Sequence, residues 1–151
     1  MELMEGVELR RADRTDPAII ALTTAQQAEL TAIYSDDQPV VALAPDIEYL
    51  LLTLEGTPVG CVGMHAFAPG LGELKRMYVE PASRGWGLSR LLLAEIESHA
   101  RTQAIHTLRL ETGTQQHEAI TLYTHHGYEP TPKYPPFENE PASLCFAKHL
   151  D

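Results

Sequence analysis

The stretch Tyr78-Val79-Glu80-Pro81-Ala82-Ser83-Arg84-Gly85-Trp86-Gly87-Leu88-Ser89 joins two regular elements through a loop that carries two glycines. Before it, Leu74–Val79 reads as a strand. After it, Leu88, Leu91, Leu92, Ile96 and Ala100 recur at helical spacing, with Arg90, Glu97 and Arg101 on other faces. A strand that ends in such a loop and opens directly into a helix offers free backbone N–H groups and a positive helix end to an anion. Gly85 and Gly87 let the main chain approach a phosphate with no side chain in the way. The loop is not a P-loop, because no Lys-[Ser/Thr] pair follows the glycines. It is not the dinucleotide fingerprint, because the third glycine is absent.

Outward from this loop, the chain alternates strands and helices. Val7–Arg10 reads as a first strand, and Asp16-Pro17 as the cap and first turn of a helix reaching about Tyr34, with a break near Thr23–Thr24. Ser35 to Asp46 carries two prolines and three aspartates and reads as a loop. Tyr49–Leu54 and Val59–Phe67 form a hairpin around Glu55-Gly56-Thr57-Pro58. Beyond the central helix, Thr107–Glu111 is a strand and Glu118 to His126 a helix that stops at Gly127. A further strand is expected near Tyr128, then a Pro-rich loop from Pro130 to Pro141 and a last strand at Leu144–Ala147. The order predicts an α/β (α+β) fold, a mixed sheet with helices on both faces.

The 151 residues suit one domain, 1–151, with a core large enough to need no disulfides. No run approaches the roughly 20 apolar residues of a membrane helix, and the first residues have no signal-peptide core, so a cytoplasmic protein is expected. The net charge of −10 argues against nucleic acid or an anionic membrane as partner and suits a cationic acceptor. Cys61 and Cys145 each lie in an apolar, strand-like run and read as core residues, and the seven histidines lack ligand spacing, so no metal is expected.

Two motifs carry a family resemblance. Arg84-Gly85-Trp86-Gly87-Leu88-Ser89 is similar to the pyrophosphate loop [Q/R]-x-x-G-x-[G/A] of the GNAT superfamily, which follows a V-x-P strand end. Ser89 departs from the last position but is still small, and Trp86 stands where the family often has a polar or basic residue. Ala119-Ile120-Thr121-Leu122-Tyr123-Thr124-His125-His126-Gly127-Tyr128 resembles the family's A-x-x-L-Y-x-x-x-G-[F/Y] segment. The resemblance covers about Val59 to Tyr128.

The resemblance implies an N-acetyltransferase that takes its acetyl group from acetyl-CoA, with a sheet splayed at the CoA-binding strand. A bulge in that strand would open it for the pantetheine arm, which would pair with the backbone of Met77, Tyr78 and Val79. Arg84 and the N–H groups of Gly85, Trp86, Gly87, Leu88 and Ser89 would hold the phosphates. Gln116 stands where many relatives have an Asn touching the pantetheine. Tyr123 would protonate the departing sulfur, and Glu73, six residues before Val79, matches the spacing of the base in histone-acetyltransferase-like relatives. Glu111 and His65 are lesser candidates for that base. An acceptor pocket is expected between the Ser35–Asp46 and Pro130–Pro141 loops, where Asp36, Asp37, Asp46, Glu138, Glu140, Tyr134 and Phe137 suit an amine with an apolar body. No activated Ser or Cys is evident, so the resemblance implies direct transfer in a ternary complex. A small-molecule amine is the first acceptor considered. Another acyl donor, protein lysines or N-termini as acceptors, a CoA-binding module without turnover, and a homodimer are the alternatives left open.

Overall fold

A computed structural model describes residues 5–34 and 45–151. Seven strands and three helices follow in the order β1 (Val7–Ala12), α1 (Pro17–Tyr34), β2 (Glu48–Leu54), β3 (Thr57–Ala68), β4 (Leu71–Val79), α2 (Leu88–Thr102), β5 (Thr107–Gly113), α3 (His117–His125), β6 (Glu129–Thr131) and β7 (Ser143–His149). They form one mixed sheet in the order β1-β2-β3-β4-β5-β7-β6. Among the described residues only β4 and β5 pair in parallel, as expected for two strands joined through the helix α2.

Alternation within the strands assigns the two faces. Leu50, Leu52, Val62, Leu74, Leu108 and Leu110 pack with α2, Tyr123 and Tyr128 in the main core. Leu92 and Ile96 of α2 are wholly buried there, each worth roughly 1.5–3 kcal/mol of apolar transfer. On the other face, Ile19 and Leu22 of α1 cover Tyr49, Leu51, Cys61 and Tyr78. Asp16 opens α1 by accepting the N–H of Ala18 on its carboxylate at 2.9 Å, and Asp16 O takes Ile20 N–H at 3.0 Å. The helix is continuous through Thr23–Thr24, where a break was expected. Thr23 Oγ1 donates back to Ile19 O at 2.8 Å, so its hydroxyl is satisfied within the helix instead of competing with it.

The other departures are at strand ends. β1 extends to Ala12, β4 begins at Leu71, and β5 runs to Gly113, because each end finds a neighbour to pair with. The short strand expected near Tyr128 is β6, at the sheet edge. Among the described residues no helix is long and apolar enough to cross a membrane.

Candidate active site

The sheet opens at its centre. β4 and β5 share a ladder only from Leu71–Thr107 to Glu73–Arg109, and beyond Glu73 the two strands part. On the other side of β4 the register with β3 slips between Cys61–Tyr78 and Gly63–Lys75, placing an extra β4 residue in a bulge. Arg76 lies in it with φ 55°, a left-handed conformation that costs a non-glycine residue roughly 1–2 kcal/mol. Bulges bend and twist the strand that carries them, and this one turns β4 away from β5. The gap is the mouth of a cleft of about 1000 Å³ lined by β4, the end of β5, α1, the start of α2, α3 and the 137–143 segment. That volume is at the upper end for small-molecule sites.

One end of the cleft is made of backbone. The carbonyls of Met77 and Val79 accept hydrogen bonds from side chains, Gln26 Nε2 at 2.9 Å and Arg84 Nε at 2.8 Å. Both belong to the parted edge, so a strand-like ligand would meet polar main chain there. Tyr78 and Val79 are matched to Cys61 and Gly60 in the β3–β4 ladder, whereas Met77 falls in the register slip. The first turn of α2 begins where Leu91 N–H reaches Gly87 O at 3.1 Å, so the N–H groups of Leu88, Ser89 and Arg90 have no intrahelical carbonyl below them. Gly85 and Gly87 stand at φ 88° and 81°, and a Cβ on either would meet no atom within 4 Å. Their necessity in the free protein is therefore conformational, and the space above them is open. These features fit an anionic, amide-bearing ligand such as acetyl-CoA.

Arg84 is held by the protein itself. Its guanidinium donates to both Glu29 oxygens at 2.7 and 3.0 Å and lies 5.5 Å from the Tyr78 ring centroid. Trp86 is 67% exposed at the loop tip and does not line the cleft. Gln116, just before α3, accepts Gly113 N–H on Oε1 at 2.7 Å and does line it.

Tyr123 is buried on α3 with its ring edge-on to Tyr128 at 5.7 Å, and it lines the cleft. Burial, with the nearby Glu111 charge adding, pushes its hydroxyl well above the usual tyrosine range. Tyr128 is fixed in turn by donating to the buried Glu97 at 2.8 Å, which also takes Lys148 Nζ at 3.0 Å.

The other end is made of charged side chains. Glu73 is 6% exposed, and both of its oxygens are engaged. Lys75 Nζ lies 3.1 Å and the Tyr134 hydroxyl 3.1 Å from Oε2, while Arg109 reaches Oε1 at 3.4 Å. Glu111, two residues along β5, accepts the Ser143 hydroxyl at 2.8 Å. Burial raises its carboxyl above the ordinary value. The Ser143 bond and Lys75 oppose the rise, and Glu73 and Glu140 add to it. Glu111, Glu140, Phe137 and Ser143 all line the cleft. Tyr134 and Phe137 pack on Cys145. Of the acids expected around the acceptor, Glu138 is exposed and does not line the cleft, Asp46 pairs with His65 at 3.2 Å, and Asp36 and Asp37 lie outside the described residues. Cys61 is buried, its thiol pushed up to about 12 by desolvation, which suits a core residue and not a nucleophile.

Lys75, Arg109, Ser143, Gln26 and Glu29 were not singled out in the sequence. A signal for two of them was present. Glu73 and Lys75, and Arg109 and Glu111, sit at i and i+2 in adjacent central strands, so four charges share one sheet face where apolar residues are usual.

The chain matches the family model of the Acetyltransferase (GNAT) family over residues 9–128. It is 39% identical over 107 residues to an IAA acetyltransferase of Azospirillum brasilense, an alignment covering 70% of each chain. A solved structure assigned as an acyl-CoA N-acyltransferase, from Klebsiella pneumoniae, superposes with a TM-score of 0.84 at 35% identity, covering 96% of this chain and 98% of that one. The acetyltransferase-like yncA of Salmonella typhimurium, solved with acetyl-CoA, shares the fold with a TM-score of 0.72 at 21% identity over 97% and 95% of the two chains. With the family model spanning most of the chain and the splayed, bulged strand in place, the protein belongs to the GNAT family of acetyltransferases.

Proposed function

We propose that the chain transfers an acetyl group from acetyl-CoA to the amine of a small molecule by direct attack, both substrates being bound in the one cleft. The observation that carries this reading is the parting of β4 from β5. It gives the cleft a main-chain edge on one side and an acidic group, Tyr123, and a basic group, Glu111, close by. Acetyl-CoA supplies the activated acyl group. The N–H groups at the start of α2 hold its phosphates, the parted edge of Met77–Val79 aligns its amide-bearing arm and its backbone N–H groups polarise the carbonyl under attack, and Gln116 borders the same path.

An amine is mostly protonated at neutral pH and must shed a proton to attack. Two carboxylates compete for it. Glu73 already neutralises Lys75 and part of Arg109, and its oxygens are occupied. Among the described residues Glu111 takes one hydrogen bond, from the Ser143 hydroxyl, and its carboxyl is raised by burial, closer to the range a general base needs. Glu111 therefore accepts the amine proton, and Glu73 organises the charges around it. Tyr123, kept protonated by its burial, donates to the departing sulfur.

The test is coenzyme release from acetyl-CoA across a panel of small amines, with the wild type and Tyr123→Phe. Transfer to at least one amine, reduced about a hundredfold in the variant, supports the proposal. Tight acetyl-CoA binding without transfer to any amine would refute it.

A further inference from the structure

We propose that the acceptor is a zwitterion, an amine that also carries a carboxylate, and that Arg109 with Lys75 reads that carboxylate. This rests on the acetyl-transfer reading above and narrows its substrate class.

Arg109 is held in a fixed plane. Its guanidinium carbon lies 3.8 Å from the ring centroid of Phe67 and 3.8 Å from that of Tyr134, so aromatic rings cover both faces. What remains is its in-plane fork of N–H donors, the geometry that matches a carboxylate. Among the described residues that fork is poorly supplied. Its one anionic contact, to Glu73 Oε1, is 3.4 Å, long against the roughly 2.7–2.9 Å of a charge-assisted bond. Its buried Nε has no partner. Glu73 cannot improve on this, because its other oxygen already serves Lys75 and Tyr134.

One carboxylate thus stands against two cations, Lys75 and Arg109, whose side chains stay 17% and 28% exposed. Glu73 and Lys75 line the cleft, and Arg109, outside that lining, adjoins it through its contact with Glu73. Farther along, the imbalance reverses. Glu111 and Glu140 line the cleft, and among the described residues the Glu111 carboxylate accepts its hydrogen bond from the neutral hydroxyl of Ser143. A cation-rich side at Glu73–Lys75–Arg109 and an anion-rich side at Glu111–Glu140 match a molecule with an ammonium and a carboxylate. The ammonium lies toward Glu111, where the proton is to be removed, and the apolar part packs on Phe137. A simple monoamine would satisfy only one side.

The experiment measures coenzyme release with three forms of each acceptor. Phenylalanine, leucine, methionine and γ-aminobutyrate are each compared with the carboxamide and with the decarboxylated amine. The acid form is expected to have a KM at least about tenfold lower than its amide in one or more series. In Arg109→Gln the ratio should fall toward one through a rise in KM of roughly 10- to 100-fold for the acid, the scale of a lost hydrogen bond to a charged group. Arg109→Lys, which keeps the charge without the fork, should fall between. Melting temperature and acetyl-CoA affinity of both variants report that the cleft is intact.

Amides or carboxyl-free amines that serve as well as the acids would overturn the inference while leaving acetyl transfer standing. So would an Arg109→Gln variant that raises KM equally for all three forms. Acetyl-CoA binding with no transfer to any acceptor is a different failure. It removes the transfer reading and this inference with it.

Discussion

At one end of the cleft the groups that face a ligand are main-chain: the parted edge at Met77 and Val79 and the N–H groups that open α2. At the other end they are side chains from separate elements: Glu73 and Lys75 from β4, Glu111 from β5, Phe137 and Glu140 from the loop before β7, and Ser143 at its start, with Arg109 and Tyr134 holding Glu73 from behind. In the proposed function the backbone groups hold acetyl-CoA, and their positions follow from a bulge and a helix start. The side chains would meet the acceptor, and their positions depend on how strands register. A conserved donor and a divergent acceptor can therefore be served by one fold.

Substitutions can break this contrast most sharply at Glu111. Glu111→Gln keeps an acceptor for the Ser143 hydroxyl but removes the base, so kcat should fall about a thousandfold, within the range for general base catalysis. Acetyl-CoA affinity measured by calorimetry should stay near wild type. In the proposed mechanism Glu111 acts when deprotonated, and its carboxyl is raised by burial. The wild-type rate should thus fall on acidification at a pH above the ordinary carboxylate range, and the residual rate of the variant should lack that limb. Stability runs the other way. A carboxyl raised on folding stabilises the native state below its unfolded pKa, and that contribution is lost as pH rises through the folded value. At neutral pH Glu111→Gln is expected to melt higher than wild type, so one scan separates a catalytic loss from unfolding.

Tyr123→Phe is the next largest effect. Removing the hydroxyl while keeping the ring should lower kcat about a hundredfold and leave the ring contact with Tyr128 in place. Turnover within a factor of about three of wild type in a single-turnover measurement, far below a general acid's contribution, would remove Tyr123 from the chemistry.

At the main-chain end the expected losses are in binding. Gly87 has φ 81°, where an L residue is strained by about 1 kcal/mol, and the space above it is open. Gly87→Leu should weaken acetyl-CoA binding at least about tenfold by calorimetry, since a side chain would stand where the phosphates approach the helix end. Unchanged affinity would move the anion site elsewhere. The smallest change is expected at Trp86, the chain's one tryptophan. Its 67% exposure makes its fluorescence a reporter of the loop. Emission should shift on titration with acetyl-CoA, and Trp86→Phe should change the affinity by no more than about threefold, as for a side chain outside the cleft. A loss comparable to that of Gly87→Leu would show that the main-chain end also reads through a side chain.

The loop and its helix were legible because their information is local. A strand, two glycines and an apolar period lie in consecutive residues, and the physics of a helix N-terminus does not depend on what packs against it. The segment from Ala119 to Tyr128 was legible for the same reason, and the element order followed from periodicity. The apparent break at Thr23–Thr24 misled because a threonine hydroxyl competes with the backbone only when it cannot fold back onto its own turn.

The charged end of the cleft was legible in fragments. Glu73, Glu111, Glu140, Tyr134 and Phe137 were picked out singly, but the pairing of Glu73 with Lys75, Arg109 and Tyr134 joins residues up to 61 apart in the chain. Arg109 held between Phe67 and Tyr134 leaves no mark in local sequence. Nor does the engagement of Arg84 by Glu29, which lies 55 residues away.

The sequence by itself determined the fold, the family, the glycine loop between β4 and α2 and the tyrosine that lines the cleft, since each is written in a contiguous run. Tertiary structure alone decided where β4 leaves β5, and through that which carboxylate stays paired and which is desolvated beside a hydroxyl. Strand register fixes those relations, and a single residue inserted at the Arg76 bulge exchanges the direction of every side chain beyond it.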